Sequence, residues 1–197
     1  MSRESPLIRE ARELMQRHEQ EPAHVQHVAE WALHLFEELQ SLHRLDKINR
    51  NFLHAAALLH DTGWSTATEE RPHHKESARL IREHPWRNLS TKEREFVALI
   101  ARYHRKSPPS PLHKRYANLP KKRKESLRML AGILRVADAM DRSHRQTLQP
   151  AGIELRPGVC LILTRGQGTE EASFGLERKG DLFRREFERQ PYLQTAS

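Results

Sequence analysis

"AAALLHDTGW", residues 55–64, starts as the apolar end of a buried helix, then places an imidazole beside a carboxylate at His60 and Asp61 and breaks at Gly63. Leu53, Ala56, Ala57 and His60 fall at i, i+3, i+4 and i+7, so His60 lies on the stripe that faces a core. Ionisable residues at that position call for a chemical reason. An unpaired carboxylate in an apolar interior costs several kcal/mol, so Asp61 needs a partner.

The pattern recurs along the chain. His24 shares a face with Val28, Trp31 and Leu35; His74 with Ser77, Ala78 and Ile81; His104 with Val97, Ile100 and Ala101. Leu127, Leu130, Ala131, Leu134, Ala137 and Asp138 continue one apolar face, with Asp141 a turn beyond. A lone histidine on such a face is ordinarily a satisfied core residue. Here five helical segments each turn a ligand-type residue inward, and no Lys or Arg sits on the stripe of Asp61 or Asp138. Four histidines and two aspartates at one bundle centre (His24, His60, Asp61, His74, His104 and Asp138) would neutralise one or two divalent cations. Imidazole with carboxylate suits Mn, Fe, Co, Ni or Zn better than Mg. His27 falls on a polar face with His34 and Glu38 and is left out of the set.

Around this centre the chain reads as mainly α. Helices are expected over residues 3–19, from Pro22, from Asp46 into His60, over 74–83, from a Ser90/Glu93 capping box to His104, and over 124–142. Residues 105–122 form a long connection rich in Pro, Lys and Arg. After Pro150 the character changes: GIELRPGVCLILTR predicts a hairpin turning at Pro157-Gly158, EASFGLE a third strand, and RKGDLFRREFER a closing short helix. The expected division is a helical metal-binding domain over 1–150, with a leading helix at 3–20, and a β appendage with C-terminal helix over 151–197, packed on the same domain.

Composition agrees with a globular chain. Its 197 residues suffice for one core, and no apolar run approaches the ~18 residues of a membrane span. The N-terminus lacks the apolar centre of a signal peptide, and the single cysteine, Cys160, excludes an internal disulfide, so a cytoplasmic setting is expected. A net charge of +8 favours anionic partners.

His24, then His60-Asp61, then Asp138, each in its own helix, resembles the H…HD…D signature of the HD domain superfamily, helical bundles that are mostly metal-dependent phosphohydrolases. The segments AAALLHDTG, HHKESARLI, ARYHRK, LAGILRVADAMDRSH and LERKGDLFRREF resemble, in order, the C-terminal HD region of exopolyphosphatase/guanosine pentaphosphatase proteins over roughly residues 20–190. The resemblance implies an HD-type helical bundle with His24, His60, Asp61 and Asp138 around a first metal, and His74 and His104 completing a second position. His73 competes with His74, and helical spacing favours His74. In that family polyphosphate hydrolysis is credited to an actin-like portion and its phosphate loop, neither of which these residues contain. Thr62 also replaces the aliphatic residue usual after HD.

The expected function is therefore metal-dependent hydrolysis of a small phosphorylated compound, a nucleotide among the candidates. Asp61 is the catalytic carboxylate that bridges metals or orients water. Lys75, Arg105, Lys106 and Arg142, which closely follow His74, His104 and Asp141, would bind substrate phosphate. The alternative is a non-catalytic module that senses a nucleotide in the same pocket. Nucleic-acid binding through the basic 105–124 loop is disfavoured, because Tyr116 is its only stacking residue.

Overall fold

The computed structural model describes residues 4–196. Helix α1 (Pro6–His18) buries Leu7, Ile8, Ala11, Leu14 and Met15 on one face. Then follow α2 (Pro22–Glu38), α3 (Gln40–His43) and α4 (Lys47–Leu59), the last capped by Asp46, whose side chain accepts from the Asn49 amide. A 3-10 turn, Thr62–Thr66, leads toward α5 (His73–Glu83). Helix α6 (Thr91–Arg102) opens on a reciprocal Ser90/Glu93 capping box, as its sequence predicts. The basic connection holds a single turn, α7 (Lys114–Ala117), before the long α8 (Lys121–Met140).

Helices α2, α4 and α8 pack on one another, α6 lies against α4 and α8, α5 against α6 and the 3-10 turn, and α1 against α4. Trp31, Leu35, Leu53, Leu58, Ile100 and Leu134 fill the core between them. Among the described residues no helix is long and apolar enough to cross a membrane.

The chain is mainly helical with a small sheet near its C-terminus, as the hydrophobic periods predict. Strands β1 (Leu148–Arg156) and β2 (Val159–Gly166) form the expected antiparallel hairpin, turning at Gly158 with φ +70°. The third strand lies elsewhere. EASFGLE belongs to helix α9 (Thr169–Lys179), whose acidic first turn and basic last turn suit the helix dipole. Helix α10 (Asp181–Phe187) follows, and only then β3 (Gln190–Thr195), which pairs in parallel with β2. The two late helices dock on α8 through small residues. A Cβ on Gly132 would stand 3.2 Å from Phe183 Cα, and one on Gly175 3.2 Å from Ala139 Cβ.

Two local readings change. His27 is buried rather than on a polar face, and its Nε2 lies 2.8 Å from the Leu148 carbonyl, tying α2 to β1. Tyr116 is also buried, its hydroxyl accepting from Arg128, so the basic connection presents no stacking platform for nucleic-acid bases.

Candidate metal centre

Helix α4 ends at Leu59, and His60 is its C-cap. The His60 Nδ1–H donates to the Ala57 carbonyl at 2.7 Å, which leaves Nε2 as a lone-pair donor pointing inward. His104, past the end of α6, repeats the device on the Ala101 carbonyl at 2.7 Å. His24 uses a carboxylate instead: its Nδ1–H donates to Asp141 Oδ2 at 2.8 Å, and Asp141 is held in turn by the backbone and side chain of Gln146. Three imidazoles thus have their tautomer and direction fixed from behind, as metal ligands usually do. Thr62 is buried in the turn, its hydroxyl donating to the Leu59 carbonyl at 2.8 Å.

The inward atoms meet on two sides of Asp61. Its Oδ2 faces His24 Nε2 at 4.0 Å and His60 Nε2 at 3.8 Å, and Asp138 Oδ1 lies 3.8 and 4.0 Å from the same two nitrogens. Its Oδ1 faces His104 Nε2 at 3.4 Å and His73 Nε2 at 3.5 Å. None of these approaches is made as a hydrogen bond. The separations are close to the ~3.4 Å expected between tetrahedral ligands that each stand ~2.1 Å from a common ion. His24 Nε2, His60 Nε2 and Asp61 Oδ1 are buried with no hydrogen-bond partner. Buried polar atoms are rarely left so; here His24 Nε2 and His60 Nε2 on one side of Asp61, and its own Oδ1 on the other, fit cations as partners. Two groups of buried donors result, His24–His60–Asp138 and Asp61–His73–His104.

His73, not His74, therefore faces Asp61. Both are buried at the start of α5, and helical spacing alone preferred His74. That spacing marks the face packed on the bundle, whereas Asp61 approaches off the first turn of the helix. Trp64 stacks on the His73 ring, with centroids 3.9 Å apart, while His74 Nδ1 is buried without a partner.

Gly63 explains why the turn comes so close. A Cβ there would stand 2.3 Å from both the His73 carbonyl oxygen and the Ser77 nitrogen, and its own N–H donates to Ser77 Oγ at 2.9 Å. Gly63→Ala is expected to cost about 3 kcal/mol in denaturant unfolding, because the atoms met are backbone and the helix must shift. The shift also parts Asp61 from His73. A variant of wild-type stability would remove the close approach from the account.

Asp138 differs from the expectation that it has no cationic partner. Lys179, at the end of α9, places its ammonium on Asp138 Oδ2. Burial pushes the Asp138 carboxyl up, but Lys179 and the surrounding histidines outweigh it and hold the group well below the usual carboxylate range. Burial likewise raises the Asp61 carboxyl, and His60 and His104 overcome it, leaving the group at about 2. Burial pushes His104 well down and, against the pull of Asp61, takes His73 to about 4, so both rings are neutral and available as ligands. Arg105 Nη1 donates to His73 Nε2 at 3.0 Å, so a cation in that group would take the place of the guanidinium.

The centre opens into a cavity of about 290 Å³ lined by Glu19, Glu21, His24, Asp61, Trp64 and His144. His144 stacks on His24 at 3.9 Å. Glu19 carries a buried, unpartnered Oε2, and burial raises its carboxyl. Glu19, Trp64 and His144 lie in loops or short turns, where no periodic signal could single them out. Of the predicted phosphate ligands, Arg105 and Lys106 line a cavity beside His73 and His74, and with Arg142 they line a second one next to Lys179. Lys75 is exposed and lines neither.

No curated protein matches the chain. A family model described as Ppx/GppA phosphatase, domain III, matches residues 8–170, a span that contains every residue of both donor groups. The chain thus belongs to the Ppx/GppA phosphatase domain III family.

Proposed function

We propose that this protein is a metal-dependent phosphohydrolase of the HD type, acting in the cytoplasm on a small phosphorylated compound, with nucleotides among the candidates. The observation that carries the reading is Asp61, whose two oxygens face two separate sets of oriented imidazoles. His24, His60, Asp61 and Asp138 would hold one divalent ion, and Asp61, His73 and His104 a second; Mn, Fe, Co, Ni or Zn suits these donors better than Mg. Such ions supply Lewis-acid charge and lower the pKa of water toward neutrality.

The chain's own residues do the rest. Asp61, held at about 2, stays an anion at any working pH, so it binds and orients rather than exchanging a proton. Asp141 fixes the His24 ring from behind. Arg105 and Lys106 stand beside His73, where charge-assisted bonds to a phosphate are strong. Trp64 offers an apolar face to the organic part of the substrate. The buried thiol of Cys160, pushed up to about 12 by burial, needs no oxidising compartment.

A screen of phosphorylated metabolites with Mn, Co, Ni and Mg tests this. Hydrolysis of at least one compound is expected with a transition metal, and Asp61→Asn should lose it along with bound metal. One observation favours a second reading, a non-catalytic module that binds a nucleotide. Lys179 and Arg105 already place cations on Asp138 and His73. Absence of turnover across the screen, with nucleotide binding retained, would select that reading.

A further inference from the structure

Lys179 and Arg105 also line a second feature, a cavity of about 200 Å³. Arg105 and Lys106 from the connection after α6, Arg135 and Arg142 from α8 and the turn after it, and Arg178 and Lys179 from α9 all line it, with no acidic residue among them. Arg135 is its buried frame. Its Nε donates to the Lys179 carbonyl at 2.9 Å, its Nη1 to the Lys106 carbonyl at 3.0 Å, and its Nη2 to Asp181 at 2.8 Å. One guanidinium thus holds two walls of the cavity in place. Lys106 adopts φ +58°, a conformation that favours glycine, and such strain persists where surrounding contacts impose it. Gly175 gives α9 the close approach to α8 that brings Arg178 and Lys179 in.

Among the described residues Arg105, Lys106, Arg142 and Arg178 form no ion pair with a carboxylate, although the chain carries 26 acidic residues. Elsewhere on the surface Arg79, Arg82 and Arg128 do find such partners. Like charges gathered in a concave wall repel one another, and the field they focus is relieved by an anion. The volume suits a compact one.

We propose that this cavity binds a phosphate or pyrophosphate group that does not itself react, at a site that adjoins the candidate metal centre through Arg105 and Lys179 and is completed by helix α9. The site extends the phosphate recognition invoked above to Arg178 and Lys179 of the C-terminal segment. It uses no metal, so it stands or falls independently of the hydrolase reading.

The test is calorimetric titration of pyrophosphate into the whole chain kept in EDTA. Wild type is expected to bind, and Arg142→Ala/Arg178→Ala to lose about tenfold or more in affinity, since charge-assisted bonds are removed. Both side chains are exposed, so the ligand-free melting temperature should not move. Lys121→Ala/Lys122→Ala removes the same charge on exposed positions at the start of α8 and should bind as wild type does. Unchanged affinity in the first variant, equal loss in the second, or no binding by wild type in EDTA would each overturn the proposal. A parallel titration with Mn separates the two sources of the group. A sugar bisphosphate should gain on pyrophosphate where the group belongs to a substrate that also reaches the centre, and should gain nothing where the cavity takes the free ion.

Discussion

Asp138→Ala is expected to strip the first metal and lower turnover by ~10³-fold, the rate equivalent of the several kcal/mol that a Lewis acid supplies. Its Oδ1 lies within 4.0 Å of both His24 Nε2 and His60 Nε2, so its loss removes the carboxylate donor shared between these two imidazoles. Alanine also leaves the Lys179 ammonium facing a void, and some loss of stability follows. His104→Ala supplies the comparison that separates the two effects. It belongs to the other group of donors and should keep one equivalent of metal while turnover drops. Elemental analysis beside steady-state kinetics reads both variants. Full metal and full turnover in Asp138→Ala would remove the residue from the centre.

The helical half of the fold was legible because its signals are local. Core stripes repeat at the helical period, the capping box lies within four residues, and the HD break shows as an ionisable pair on an apolar face. Five of the six predicted ligands converge because the stripes point inward: His24 and Asp138 lie on buried helix faces, and His60, Asp61 and His104 follow the inward ends of α4 and α6. Periodicity reports which face is buried and not what approaches the end of a helix, and so it chose His74 over His73. Partners distant in sequence were invisible to it. His27 reaches Leu148 from 121 residues away, and Asp141 reaches back 117 residues to His24. The misreading of EASFGLE had a further consequence. A strand there leaves Lys179 without a helix that crosses α8, and Asp138 without a counter-charge; the helix α9 supplies both.

Lys179→Met tests what that counter-charge does. Methionine keeps the apolar length of the side chain that packs along the helix junction and deletes the charge. In EDTA the variant leaves the buried Asp138 carboxylate uncompensated, and breaking such a pair costs about 3–5 kcal/mol. The pH dependence has a definite sign. In wild type the Asp138 carboxyl is depressed, so its contribution is present above the unfolded carboxylate range near pH ~3.9 and is lost as pH falls. Without the ammonium, burial has less to oppose it and the carboxyl rises, so the deficit should be widest near neutrality and narrow in acid. A divalent cation on His24, His60 and Asp138 would restore the missing charge, so saturating Mn or Co should stabilise the variant more than wild type. Urea unfolding with EDTA and with metal, at neutral and acid pH, measures all of this. A variant as stable as wild type in EDTA would show that the pair carries no weight. Equal metal-induced stabilisation in both proteins would separate Asp138 from the metal and leave its carboxylate to Lys179 alone.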